Sequence, residues 1–243
     1  MRKGEVKILE PIIEVKNVTK IYKVGNERVL ALDGVNFSIN KGDFCCLLGS
    51  SGSGKSTLLN LMAGIEKITK GEILIKGKNI GKMGEHQLAK FRQKYLGFVF
   101  QSYNLISSFN AIENVTLPLI FKEESLKSRN KKAKEMLINV GLETRLKHRP
   151  NQMSGGQQQR VGIARAFVSN PEIVFADEPT GNLDSKTSKE IMELIKKMAK
   201  EHNQTIVMVT HDESIAAYAN KIVHIHDGHI EKIVEVENDE KNN

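Results

Sequence analysis

Residues Gly49-Ser50-Ser51-Gly52-Ser53-Gly54-Lys55-Ser56 constrain this chain more than any other segment. Before them stands Phe-Cys-Cys-Leu-Leu at 44–48, an unalternating apolar run of the kind carried by a strand buried on both faces. After them, Ser56 to Ala63 reads as a helix closed by Gly64. Strand, tight glycine turn and helix in that order make the first half of a βαβ unit. The eight residues complete a phosphate-binding P-loop pattern in the context it requires. Glycines let the backbone turn so that successive N–H groups aim at one anion. The helix start adds unpaired amides and the positive end of the helix dipole. Lys55 is thereby placed to reach the β- and γ-phosphates of a nucleotide, and the Ser56 hydroxyl to ligate Mg²⁺.

Alternation and apolar runs extend the α/β reading to both sides of this loop. Strand signals fall at 12–18, 29–39 and 72–76, then again at 172–176 and 205–209. Two more, at 221–226 and 229–234, flank the turn pair Asp227-Gly228. Between about Gln87 and Asn170 the pattern turns helical, which predicts a mostly helical lobe inserted into the α/β core. Within it, 126–140 places Ala133, Met136, Leu137 and Val140 on one side before Gly141 stops the helix. A further helix, Asp184 to His202, buries Ile191, Leu194, Ile195 and Met198. Asp177 and Glu178 end the hydrophobic strand 173–176. Taken alone, two acids there also describe a solvated turn. Beside a phosphate cradle, Asp177 becomes the expected Mg²⁺ partner through water and Glu178 the general base that polarises the attacking water.

Composition narrows the surroundings. With 243 residues, 40% hydrophobic and 27% charged, the chain has enough side chains for a real core. No stretch approaches the roughly 20 apolar residues of a membrane-spanning helix, so a membrane role is expected to be peripheral. The basic opening Met1-Arg2-Lys3-Gly4 is followed by a short apolar segment interrupted by Glu10, Pro11 and Glu14, which is not a signal-peptide core. Adjacent Cys45 and Cys46 should point to opposite faces of their strand and are poorly placed to pair. A reduced compartment and the absence of a disulfide framework or zinc site follow as expectations. The net charge of +7 is spread along the chain and interleaved with Glu, with little aromatic interleaving for base stacking, so no nucleic-acid partner is expected.

Further motifs make the chain resemble the ATP-binding-cassette (ABC) family over roughly Ile12 to Gly228. Met153-Ser154-Gly155-Gly156-Gln157 looks like the family signature, with Met153 standing for the usual leucine. Asn182-Leu183-Asp184 is similar to the D-loop, Gln101 to the Q-loop glutamine, and His211 to the switch histidine. Tyr22 sits where the family has an adenine-stacking aromatic. The segments Gly97–Leu105, Glu113–Val115, Ser154–Arg165 and Phe175–Ser185 look most like ATPase subunits of lipoprotein-release, macrolide-export and antimicrobial-peptide-export systems. The cell-division ATPase of the same group is also similar, which leaves a mechanical signalling ATPase without transport as the alternative.

The resemblance implies a P-loop NTPase core with a mixed sheet, an antiparallel β subdomain and an inserted helical subdomain. The expected boundaries are a single domain at 12–238, with core 12–100 and 171–236, helical part about 101–170, and a polar tail at 237–243. It implies ATP and Mg²⁺ bound by Tyr22, the loop Gly49, Ser50, Ser51, Gly52, Ser53 and Gly54, then Lys55, Ser56 and Thr57. Ser56, Gln101 and Asp177 would hold the metal; Glu178, His211, Gln101 and Lys55 would carry catalysis. Ser154, Gly155, Gly156 and Gln157 would meet the γ-phosphate from a second copy of the chain in a head-to-tail ATP sandwich, coupled across the interface by Asp184. A helix start bearing Ser-Gly-Gly is a second anion-binding end, which a chain with one complete cradle has no obvious use for in cis. A separate integral membrane permease, reached from the cytoplasmic side of the cell membrane, is the other implied partner, with its coupling groove expected near the apolar stretch Asn114–Phe121, between core and helical lobe, and changes around Ser107–Asn114 expected to uncouple ATPase from membrane function.

Overall fold

A computed structural model describes residues 11–236; the expectations for the basic opening and for the polar tail lie outside the described residues. Phe44–Leu48, β3, is buried at every position. It takes a central place in a six-stranded sheet because both of its faces carry apolar side chains. Its neighbours are Thr205–Thr210 (β8) and Lys221–His226 (β9), both parallel to it. Beyond β8 lie Ile173–Asp177 (β7) and then Leu96–Phe100 (β6), again parallel. His229–Glu235 (β10) closes the other edge as the antiparallel arm of a hairpin with β9.

A second, antiparallel sheet has Pro11–Val24 (β1) at its centre, between Glu27–Asn40 (β2) and Lys70–Ile75 (β4), with the short Lys78–Asn79 (β5) outside. Both long strands outrun their sequence signal. Register shifts between Val15, Val18 and Lys20 reset the alternation, and Asn17 takes φ 48° at that irregularity, so one period does not run through.

The central sheet separates two cores. Cys45 packs with β1, β2, the helix Lys55–Met62 (α1) and the helix Glu85–Tyr95 (α2). Cys46 packs on the opposite side with Ala111–Phe121 (α3), Leu126–Asn139 (α4), Gly155–Phe167 (α5) and Ser185–Glu201 (α6). The two thiols do point apart, and burial pushes both up, Cys46 to about 12. Phe175 in β7 is wholly buried, as are Leu137 of α4 and Met192 of α6. Burial of each such side chain contributes roughly 1.5–3 kcal/mol. The inserted helices share their apolar core with one face of the sheet.

One segment inside the mostly helical stretch 87–170 is strand. Residues 96–100 are strand β6, an apolar five-residue run at the sheet edge that periodicity alone does not separate from helix. No helix among the described residues is long and apolar enough to cross a membrane.

Candidate functional site

All five parallel strands point the same way, so the loops after Leu48, Phe100, Asp177, Thr210 and His226 gather along one rim. The register fixes their depth: Phe100 pairs with Asp177, Asp177 with Val209, and Leu48 with both Thr210 and His224. Ligands of open α/β sheets bind outside these carboxyl ends.

The loop 49–54 leaves β3 here and enters α1 through Gly54 at φ 100°. Its first glycine is set by close approach: a β-carbon on Gly49 would sit 2.1 Å from the Ile225 carbonyl of β9. The Asp227-Gly228 turn braces the loop from the same side. Gly228 N–H donates to Ser53 O at 3.0 Å, and its carbonyl accepts from Asp33 N–H at 3.0 Å. Gly228 has φ 78°, and a β-carbon there would meet Ala31 O at 2.8 Å. Lys55 is 5% exposed. Its ammonium curls into the loop, donating to Ser50 O at 2.6 Å and Ser53 Oγ at 3.4 Å. Burial lowers its pKa against the opposing pull of Glu178 and Asp177.

Ser56 Oγ donates to Asp177 Oδ1 at 3.2 Å, which joins the helix start to the end of β7. Burial raises the Asp177 carboxyl, with Glu178 adding to the rise and Ser56 and Lys55 opposing it. Glu178 stands in the left-handed region at φ 41°, and its N–H donates to Val209 O at 3.1 Å. A glutamate held there is strained backbone, of the kind that persists at functional sites. Its Oε1 lies 3.1 Å from His211 Nδ1. Gln101 follows β6: its Nε2 and Glu178 Oε2 lie 2.7 and 3.2 Å from the point a β-carbon on Gly181 would occupy. Lys55, Ser56, Gln101, Asp177, Glu178 and His211 therefore surround one place. A flexible cation, amide-rich loop, hydroxyl and two acids suit a polyphosphate with a divalent cation. Among the described residues there is no group of three or more His, Cys, Asp or Glu that could hold a metal ion.

Tyr22 lies near the end of β1, opposite Val29. Its hydroxyl donates to Glu66 Oε2 at 2.6 Å and sits 3.5 Å from Thr57 Oγ1, which places the ring beside α1. Burial would raise Glu66, but Tyr22, Lys20 and Asn60 donate to it and hold it below the usual range. The Lys20 ammonium lies 4.6 Å from the centroid of the Tyr22 ring, so a stacked base has to take the other face.

Ser154, Gly155, Gly156 and Gln157 form the start of α5 in a different setting. Ser154 Oγ accepts from Gln157 N–H at 3.4 Å while Gln157 Oε1 accepts from Ser154 N–H at 3.1 Å, a reciprocal capping box. This helix start shares a cleft of about 370 Å³ with Asn182, Leu183 and Asp184. The Asp184 carboxylate caps α6, accepting from the Thr187 hydroxyl at 2.6 Å and from the Lys186 and Thr187 amides at 3.0 Å each. Those bonds, Thr187 foremost, hold its pKa low.

Two residues to which the sequence reading gives no individual role complete the arrangement. Asn182 Nδ2 donates to Gln101 O at 3.0 Å. Gln159, fully buried, donates to Pro179 O after the acid pair. A groove of about 570 Å³ opens between α2, β6, α3 and α5, bordered by Leu117, Pro118 and Phe121. Leu117, Pro118 and Phe121 fall within the 114–121 stretch near which the sequence reading expects the coupling groove. Asn114 itself is fully buried and fastens the loop before α3, accepting from Ile106 N–H and donating to the carbonyls of Ile106, Phe109 and Asn110.

The chain matches the family model described as ABC transporter over residues 32–181. It is 48% identical over 223 residues to an uncharacterised ABC transporter ATP-binding protein of Methanocaldococcus jannaschii, covering 92% of this chain and 99% of the relative. The macrolide export ATP-binding/permease protein MacB of Hyphomonas neptunium is 44% identical over 220 residues, 90% of this chain but 34% of MacB. Among solved structures, the dimeric ATP-binding cassette MJ0796 in a post-hydrolysis state with ADP and Pi superposes with TM-score 0.86. That match has 46% identity and covers 93% of this chain and 99% of the cassette. The chain belongs to the ABC transporter family, as one of its ATP-hydrolysing nucleotide-binding proteins.

Proposed function

We propose that two copies of this chain close head to tail around two ATP molecules, and that hydrolysis drives a separate membrane permease exporting a peptide, lipoprotein or macrolide-like substrate. The observation that carries the reading is the division of phosphate-seeking elements. The loop 49–56 and the acids Asp177 and Glu178 occupy the strand ends, while the helix start at Ser154 opens into its own cleft with Asn182–Asp184. In a two-fold arrangement the second element of one subunit covers the γ-phosphate held by the first element of the other. The dimeric MJ0796 cassette with ADP and Pi supports this arrangement.

The roles follow from position. Lys55 and the loop amides bind the β- and γ-phosphates, and Tyr22 stacks on the adenine with Thr57 beside it. Ser56, Asp177 and Gln101 hold Mg²⁺, which when bound neutralises charge on the phosphate oxygens. Glu178 orients the attacking water and takes its proton; His211, within reach of the same carboxylate, fixes that geometry. Loss of the γ-phosphate removes the contact to Ser154, Gly156 and Gln157 of the other subunit, so the dimer opens. Asp184, at the edge of the same cleft, couples the two sites.

The apolar groove bordered by Leu117, Pro118 and Phe121 is where the permease docks, since Phe121 leaves 68% of its surface exposed. MacB, in whose name ATP-binding and permease parts are joined, supports the pairing and the export direction. The test is affinity capture from membranes with the Glu178→Gln variant and ATP. An integral membrane protein recovered in an ATP-dependent manner is expected; ribosomes or DNA alone would contradict the proposal.

A further inference from the structure

The turn after Gln101 is built from residues in an unfavourable conformation. Tyr103 has φ 60° and Asn104 φ 48°, two successive non-glycine residues in the left-handed region. Asparagine tolerates that region and tyrosine does so poorly. Two groups hold this turn in place. Arg165, three turns into α5, donates from one guanidinium nitrogen to Tyr103 O at 2.7 Å and from the other to Asn104 O at 2.5 Å. At the front of the turn, Asn182 fixes the Gln101 carbonyl. The turn in turn supports α5 at its start. Tyr103 Oη lies 2.8 Å from where a β-carbon on Gly155 would sit, so the ring is pressed against the first residue of the helix.

We infer that Arg165 is a positioning residue for ATP hydrolysis: by gripping two consecutive carbonyls it holds Gln101 toward Glu178 and, through Tyr103, sets the start of α5 that faces the partner's γ-phosphate. The inference deepens the dimer reading and rests on it. A forked guanidinium is suited to two adjacent acceptors, whereas an ammonium is a point donor. Burial lowers the pKa of Arg165, in keeping with a guanidinium withdrawn from water to serve backbone acceptors. The same side chain borders the groove beside Phe121, so a group seated there touches the residue that fixes the turn. Arg165 contacts no phosphate in this scheme, which separates its effect from that of Lys55.

The experiment compares Arg165→Ala and Arg165→Lys with wild type in the full chain, reading kcat, ATP affinity and thermal midpoint. Each is repeated in the Glu178→Gln background for ATP-dependent association by sedimentation. Expected for Arg165→Ala are a kcat lowered at least about tenfold and association weakened at least about tenfold, with ATP affinity of the separate chain within about twofold. Arg165→Lys should fall between, because one carbonyl keeps a donor. A kcat within about twofold of wild type in Arg165→Ala overturns the inference. So does a parallel fall of thermal midpoint, ATP affinity and kcat, which marks a merely structural role. Should Arg165→Ala not fold, Arg165→Lys decides, and wild-type kcat there overturns the assignment. Glu178→Gln with Arg165 intact is the control: failure of that form to associate on ATP overturns the dimer reading instead, while the kcat arm still judges Arg165.

Discussion

Lys55 shows what a single residue at this site is built to do. It is a buried cation turned onto neutral oxygens of its own loop, and burial already weakens its hold on the proton. A triphosphate supplies the compensating charge, so Lys55→Ala should weaken ATP binding by at least about tenfold, roughly 1.4 kcal/mol or more; calorimetric titration measures this. Glu178→Gln should behave differently, keeping ATP-dependent association and losing turnover by about a hundredfold or more. Asp177 brings a pH dependence. Its pKa is raised by burial, so it takes up a proton at a higher pH than an ordinary aspartate. Mg²⁺-dependent strengthening of ATP binding is therefore expected to fade early on acidification. Asp177→Asn should remove that pH dependence; titrations with Mg²⁺ and with EDTA at each pH check it. These residues were legible because each sits directly beside a strong pattern, the glycine loop or the end of an apolar strand. Glu66, by contrast, anchors Tyr22 across 44 positions of sequence, and no local spacing announces that contact.

At the scale of elements, the hairpin and the loop before α3 carry the tests. Gly228 holds the P-loop through Ser53 and has no room for a side chain. Gly228→Ala is expected to shift the loop and raise the KM for ATP several-fold, with a smaller effect on kcat. Steady-state kinetics with the purified variant read both. Asn114 serves the loop before α3 with both ends of its amide. Asn114→Ala leaves buried backbone groups unpaired and should cost about 2–4 kcal/mol, read from the denaturant midpoint. The buried strands β3, β7 and β8 and the helices α4 and α6 were readable from period and length, and α5 through the signature that opens it. Others were not, and for α3 and β6 the reasons are definite. α3 carries Pro118 in its interior, which removes a helix hydrogen bond and hides the element from propensity. β6 is five apolar residues running straight on from α2, and it becomes a strand because β7 offers it a parallel edge.

Across the whole molecule, two surfaces separate the work. One is the strand-end rim with its companion cleft; the other is the apolar groove bordered by Phe121. Phe121→Asp should abolish capture of the membrane partner while ATPase of the purified chain stays within about twofold of wild type. Sequence conveyed the class of fold and the rim, because rim residues follow strand ends in order. For the groove it pointed to the stretch 114–121 but not to the other walls, which depend on how α2, β6, α3 and α5 pack.

The shared site is tested most directly by mixing two variants that fail for opposite reasons. Lys55→Ala keeps an intact Ser154 helix start but no working cradle, and Ser154→Arg keeps the cradle but blocks the helix start. Each alone should be nearly inactive. Mixed in equal amounts, they should regain roughly a quarter of the wild-type sites, since half of the dimers are mixed and each mixed dimer has one good site. No recovery on mixing, or wild-type turnover by Ser154→Arg alone, would contradict the account.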